Sequence, residues 1–360
     1  MKILILANEQ GGLFKFRREL IETLLEQGHQ LFLSIPAGDR VPFFQSIGCI
    51  IYETEIDRRG INPREDFGLL RRYTRIMKEV RPNLVITYTI KPNIYGGLVA
   101  RFHGIPYAAN ITGLGTAFQN SGLLRTAVIN LYKAAMKKAK VVFFENSTNR
   151  DTMVSLGICD EDKTHVLAGA GVNLEEYYYQ EYPENHVFRF LFVGRVMKEK
   201  GINELLESIR RLREGDGKNC ILDIVGSFEE DYKETIHQAE AAGWIAYHGS
   251  QKDVRPFYGQ CDCFVLPSYH EGMANTNLEA ASIGRPIITS DIPGCREAVI
   301  EGKSGLYCEA RDADSLYSMM KKIMILPREE RAEMGRVGRK HMESTFDKRA
   351  VVRDTIHWLI

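Results

Sequence analysis

The sequence predicts an α/β fold built from two doubly wound halves that face a central cleft. Three observations lead there. Short apolar runs alternate with amphipathic helical stretches from end to end, the pattern of βαβ units and parallel sheets. This series stops and begins afresh near residue 188. Between the two series lies "NLEEYYYQEYPENH" (173–186), polar, tyrosine-rich and without clear periodicity, which reads as a linker.

In the first half, strands are expected at 3–8 ("ILILAN"), 30–35, 49–54, 84–89, 107–112 and 141–146, with helices at 14–27, 65–80 and 122–138. The second half repeats the scheme, with strands at 188–196 ("FRFLFVGRV"), 221–227, 245–250, 261–268, 285–291 and 305–310. Its helices are expected at 201–213, 229–242, 275–284, 312–324 and 328–344, and a last helix at 346–360 lies beyond the second domain. The domains are therefore drawn at 1–182 and 187–345. Such folds bind ligands outside the carboxyl ends of their strands, so function is sought in the cleft between the halves.

With 360 residues, the chain is long enough for two domains that each bury a core. Its 47 basic residues are balanced by 47 acidic ones, which gives no general reason to expect nucleic acid as a partner. Seven cysteines form no CxxC pair and have no histidine at zinc-like spacing, so neither a metal nor a disulfide framework is expected. They read as small buried apolar residues of a reducing cytosol. The opening "MKILILAN" is too short for the core of a signal peptide, and no stretch reaches 18 uninterrupted apolar residues. A cytoplasmic protein is expected, with any membrane contact peripheral.

Three stretches could carry chemistry. In "ANEQGGLFKFRREL" (7–20) a strand runs into a double glycine, Gly11 and Gly12, that opens a helix; glycine admits a ligand close to the backbone and a helix N-terminus favours an anion. The adjacent glycines do not make GxGxxG, so a dinucleotide site is not expected. In "VGRVMKEKGINELLE" (193–207), Arg195 and Lys200 fall near a helix start, where two cations could hold a diphosphate without a metal; taken alone, they could equally be solvated loop residues. In "PSYHEGMANTNLEA" (267–280), Glu271 and Glu279 stand eight residues apart. Were all of 271–279 helical, the carboxylates would sit about 12 Å apart along the axis at ~1.5 Å per residue. Glycosidase pairs sit at roughly 5 to 9.5 Å, so these two are better suited to gripping hydroxyls at opposite ends of a long ligand.

The extended string "PSYHEGMANTNLEAASIGRPIITSDIPGCREAVIEGKSGLYC" resembles the donor-binding segment of retaining glycosyltransferases of the GT-B fold, in the group called family 4. The matching parts are E-x7-E (Glu271, Glu279), "AASIGRPII", "SDIPGCRE" and "SGLYC". The "GR…KG" element (Gly194, Arg195, Lys200, Gly201) resembles the family's diphosphate-binding loop. "IVGSFEE", with Gly226, and "HGSQKDV" resemble its nucleotide-base wall. "GLFKFRREL", with Arg17, "YTIKPNIYG" and "NITGLGTAF" further resemble enzymes that extend undecaprenyl-diphosphate-linked sugars in bacterial surface polysaccharide and glycoprotein pathways.

The resemblance implies a two-domain GT-B enzyme that takes a UDP-sugar in its C-terminal half and needs no metal or other cofactor. Arg195 and Lys200 would neutralise the diphosphate of the leaving UDP. Glu279 would accept hydrogen bonds from the ribose, and Glu271 would hold the donor sugar near C3 and C4. Gly12, Gly194, Gly226, His270, Gly272, Met273, Ala274, Asn275 and Thr276 complete the expected donor side. The anomeric configuration would be kept, with no protein nucleophile assigned. A histidine that many relatives carry aligns with Thr112, so Thr112, the backbone amides of Gly113 or a remote group would take over its part, and His270 beside Glu271 could replace some of it. Lys91, after a strand and toward the cleft, would meet an acceptor phosphate or else be a strand-end lysine with no partner; Thr112, Gly113 and Arg17 are the other expected acceptor residues, the acceptor being a lipid-linked saccharide. The basic stretch 123–140 could lie on an anionic membrane surface or be an ordinary core-facing helix. The terminal helix would cross back onto the first domain. An epimerase of the same architecture, a transferase acting on a soluble acceptor and a nucleotide-sugar-binding protein without turnover are the competing readings.

Overall fold

The computed structural model describes residues 1–57, 62–114, 118 and 122–360. The chain divides into two units, Met1–Ala170 with Arg349–Ile360, and Gly171–Lys348.

The first unit is built on seven parallel strands: β1 (Lys2–Leu6), β2 (Gln30–Ile35), β3 (Ile50–Glu53), β4 (Leu84–Tyr88), β5 (Tyr107–Ile111), β6 (Val141–Phe144) and β7 (Thr164–Val166). Their order is β3-β2-β1-β4-β5-β6-β7, so the winding reverses between β1 and β4. Six of these strands were expected. The seventh, "THV", is three residues with no apolar run to announce it.

Both faces of this sheet are covered, which is why its strands read as near-continuous apolar runs. Leu4 and Leu6 face one core, beneath the helices Pro63–Val80, Gly97–Phe102 and Leu123–Met136. Ile3, Ile5 and Ala7 face the other, beneath Gln10–Glu26, Val41–Ser46 and the terminal helix Lys348–Leu359, which contributes Val351, Val352 and Leu359. Trp358 stacks on His165 with ring centres 4.6 Å apart. The helices Val41–Ser46, Gly97–Phe102 and Ser147–Ser155 were not expected, being too short to show a helical period.

The second unit repeats the plan with six parallel strands: β8 (Phe188–Val193), β9 (Cys220–Val225), β10 (Ile245–Tyr247), β11 (Cys263–Leu266), β12 (Ile287–Ser290) and β13 (Gly305–Cys308). Their order, β10-β9-β8-β11-β12-β13, reverses between β8 and β11. All seven cysteines are free and buried.

The boundary expected after residue 182 moves to 170. Residues 171–186 join the second unit because Arg285, fully buried there, donates to the carbonyls of Gln180 (3.2 Å) and Glu181 (3.0 Å), and the Tyr182 hydroxyl donates to the Asp262 carbonyl (2.9 Å). At the other boundary Val172 exchanges backbone hydrogen bonds with Phe346 (2.8 Å) and Lys348 (3.0 Å), holding residues 346–348 in the second unit.

Candidate active site

At the reversal of the second sheet, the loops that leave β8 and β11 run side by side, since the two strands pair through Cys263 with Phe190 and Phe264 with Leu191. The first loop ends in a tight turn at Gly201 (φ 72°). A β-carbon on Gly201 would fall 2.1 Å from the Pro267 carbonyl oxygen, so only glycine lets the loops meet this closely. Lys200, the last residue before that turn, places its ammonium against the Glu271 carboxylate, which also accepts from the Ser268 hydroxyl at 2.8 Å.

Glu279 is held elsewhere. The helix that carries it, Asn275–Ile283, begins only at Asn275, so Glu271 stands in the preceding loop and the axial spacing for an all-helical 271–279 does not apply. Glu279 is 4% exposed and accepts a hydrogen bond from the Tyr258 hydroxyl at 2.9 Å. Burial first, and the charge of Glu279 second, push the hydroxyls of Tyr258 and Tyr177 upward, so both stay protonated donors facing that carboxylate. Tyr258 sits on the six-residue helix Arg255–Gln260 and Tyr177 in the polar segment after the unit boundary, and neither was anticipated.

Arg195 and Lys200 do not converge as expected. The Arg195 side chain is about half exposed and lies 3.8 Å from Glu229, so the two cations serve different carboxylates. Gly194 and Gly226 do come together, a β-carbon on Gly226 falling 1.8 Å from the Gly194 carbonyl oxygen, and Tyr247 donates to the Gly226 carbonyl at 2.8 Å. His270 is exposed, while Gly272 and Thr276 are half-buried. Met273 and Ala274 turn their side chains into the core, which leaves only their backbone for a ligand, and the Ala274 amide already donates to the Gly294 carbonyl at 2.7 Å. Asn275 donates to the Met273 carbonyl (3.3 Å) and keeps a buried Oδ1 without a partner.

In the first unit, Gly12 lies in the first turn of Gln10–Glu26. Arg17, expected to meet the acceptor, is instead buried: it donates to Glu145 at 2.8 Å and stacks over the Tyr88 ring at 5.2 Å. The signal was present in the sequence, because Arg17 falls on the same helical stripe as Leu13, Leu20, Ile21 and Leu24. Lys91, expected to seek a phosphate, pairs with Asp66 at 2.8 Å, and Asp66 also accepts from Tyr95 at 2.7 Å. Thr112 and Gly113 follow β5 and are half-buried. The middle of "NITGLGTAF", residues 115–117, lies outside the described residues. Among the described residues, no group of three or more His, Cys, Asp or Glu is placed to hold a metal ion.

Two doubly wound units, with a lysine, two glutamates and glycine-tight loops near the second unit's reversal, fit what the resemblance to GT-B glycosyltransferases implies. Residues 180–341 match the family described as glycosyl transferases group 1 and residues 2–146 the one described as glycosyl transferase 4-like, which together identify a glycosyltransferase. It is similar to the N,N'-diacetylbacillosaminyl-diphospho-undecaprenol alpha-1,3-N-acetylgalactosaminyltransferase of Campylobacter jejuni, at 28% identity over 93% of this chain and 91% of that protein. A capsular polysaccharide biosynthesis glycosyltransferase, CapM of Staphylococcus aureus, is 27% identical over 61% of each chain. Among solved structures, a Rickettsia africae glycosyltransferase superposes with a TM-score of 0.80 at 18% identity, covering 99% of this chain and 97% of that one. Anabaena Alr3699/HepE in complex with UDP-glucose does so with a TM-score of 0.80 at 15% identity, covering 99% of both chains.

Proposed function

We propose that this glycosyltransferase moves a hexose or N-acetylhexosamine from a UDP-sugar, with retention of anomeric configuration and without a metal, onto a saccharide carried by a polyprenyl diphosphate. The observation that carries the donor half is the meeting of Lys200 with Glu271 at the reversal of the second sheet, with a buried Glu279 held by Tyr258 on the helix that follows Glu271. With donor bound, the Lys200 ammonium turns to the diphosphate and Glu271 is released to accept from sugar hydroxyls. Arg195, being exposed, swings from Glu229 to the same diphosphate, and the paired cations stabilise the departing UDP. Glu279, unable to rotate, accepts from the ribose hydroxyls. The acceptor attacks from the face the UDP leaves, and a phosphate oxygen takes its proton, so no protein nucleophile is used.

The acceptor half rests on the Campylobacter relative, whose name places its substrate on undecaprenol diphosphate. An anionic membrane surface is the matching partner, and the site of action is its cytoplasmic face. The outer sides of Pro63–Val80, Gly97–Phe102 and Leu123–Met136 support this: Phe67 and Phe102 are 60% and 88% exposed, and Leu124 and Leu131 are exposed too. Segments 63–81, 97–103 and 122–140 carry twelve Lys and Arg against three acidic residues, in a chain of net charge zero. Among the described residues, no helix is long and apolar enough to cross a membrane.

The test is thermal stabilisation of the purified protein by UDP-, GDP- and TDP-sugars in the presence of a chelator, repeated with Glu279→Ala and Lys200→Ala. Stabilisation confined to UDP-sugars and lost in both folded variants is expected. A response confined to GDP- or TDP-sugars would overturn the donor assignment.

A further inference from the structure

We propose that the carboxyl ends of β1 and β4 in the first unit bind the saccharide of the acceptor rather than its diphosphate, and that Asn8 and Thr89 are the residues that bind it; this rests on the lipid-linked acceptor proposed above. Both residues lie two positions beyond the paired Leu6 and Thr87, where the strand order of the first sheet reverses. Thr89 has φ 72°. A β-branched residue adopts that left-handed conformation only where its surroundings impose it, and such strain gathers at ligand sites. The Thr89 hydroxyl is also buried without a hydrogen-bond partner, as is Asn8 Oδ1.

The layer beneath shows the opposite. Thr87 donates to Asn93 Oδ1 (2.7 Å), Asn93 donates to the Asn110 carbonyl (2.9 Å), and Asn110 donates back to the Thr87 carbonyl (3.2 Å). The Asn93 amide also donates to the Thr89 carbonyl at 2.9 Å. This closed ring pins the turn after β4 and holds Thr89 in its strained conformation, while the hydroxyl of Thr89 itself stays open. Buried polar atoms are ordinarily paired, so two open ones at a strand reversal mark a place for ligand atoms.

Their chemistry selects the ligand. The amide of Asn8 and the hydroxyl of Thr89 each offer both a donor and an acceptor, which matches sugar hydroxyls and acetamido groups, themselves donors and acceptors, better than phosphate oxygens, which only accept. A sugar hydroxyl or an acetamido N–H donates to Asn8, and a hydroxyl can exchange a hydrogen bond with Thr89. The nearby cation, Lys91, is paired with Asp66 at 2.8 Å.

The experiment measures, on the full chain with UDP present, the affinity of two short-chain polyprenyl diphosphates: one bearing a single N-acetylhexosamine and one bare. The wild type is expected to bind the sugar-bearing lipid about tenfold more tightly or better, one or more hydrogen bonds to otherwise unpaired groups being at stake. Thr89→Val and Asn8→Leu are each expected to lose most of that preference with binding of the bare lipid unchanged. Thr89→Gly, which relieves the left-handed backbone, is expected to lose it without a fall in Tm; a purely structural role would lower Tm and keep the preference. Equal binding of both lipids by the wild type, or an intact preference in the variants, would overturn the assignment and leave the lipid-linked acceptor standing. Binding of neither lipid by protein that still responds to UDP would remove both.

Discussion

Tyr258→Phe isolates the device that orients the donor-site carboxylate. The substitution removes one hydroxyl and leaves the ring, which packs against Phe264 at 5.5 Å, in place. The lost bond is the 2.9 Å contact to Glu279 Oε2, made where Glu279 is 4% exposed, so water does not readily replace it. A hydrogen bond to a buried charged group is worth about 2 kcal/mol. For a cooperative unit the size of Gly171–Lys348, that corresponds to a fall in Tm of about 4 to 8 °C. Calorimetry of the purified variant reads the first effect. Titration with UDP reads the second: a carboxylate that has lost one of its two tyrosine partners is less firmly oriented for the ligand, and affinity is expected to fall about tenfold, or ~1.4 kcal/mol. Glu279→Gln should show the reverse balance, a smaller loss of Tm because no buried charge remains, and a larger loss of UDP affinity. Unchanged Tm and unchanged UDP affinity in Tyr258→Phe would refute the reasoning.

Other perturbations test separate parts of the structure. Gly201→Ala forces a β-carbon against the Pro267 carbonyl at φ 72°, and is expected to cost at least about 2 kcal/mol in urea unfolding and to abolish stabilisation by UDP-sugars as Lys200 is displaced. Arg17→Met removes the cation that Glu145 faces at 2.8 Å in a buried pair and is expected to cost about 3 kcal/mol, whereas the double variant Arg17→Met/Glu145→Leu should recover most of it, as fits a buried structural pair and not an acceptor ligand. Replacing Phe67 and Phe102 together with serine is expected to weaken co-sedimentation with phosphatidylglycerol vesicles several-fold, with Tm within about 1 °C of wild type because both side chains are exposed; unchanged sedimentation would remove this face as the membrane contact.

Among the described residues, twelve of the thirteen strands were legible because each belongs to a parallel sheet and reads as a short apolar run between turn residues. Helices of six residues, such as Arg255–Gln260, offer too few positions for a 3.6-residue period to emerge, and Tyr258 was lost with that helix. The candidate site was legible as residue types but not as pairings. Nothing in "GRVMKEKG" states that Lys200 meets Glu271 while Arg195 leans on Glu229, because those contacts depend on the turn at Gly201 and on a helix that starts at Asn275. The polar segment 173–186 read as a linker because its side chains are polar, yet what fastens it is its backbone, whose carbonyls at 180 and 181 satisfy the buried Arg285. Composition carries no trace of that bond.

The most direct test of the central claim is transfer itself. The purified protein is incubated with each of a panel of UDP-sugars and a short-chain polyprenyl-diphosphate N-acetylhexosamine in the presence of a chelator, and the lipid product is read by mass and by the anomeric NMR signal. The expected result is a gain of one hexose or one N-acetylhexosamine from a single UDP-sugar, in the same anomeric configuration as the donor, absent with Glu271→Gln. A product of inverted configuration would contradict the retaining mechanism, and no product from folded protein that binds both substrates would contradict the assignment of a lipid-linked acceptor.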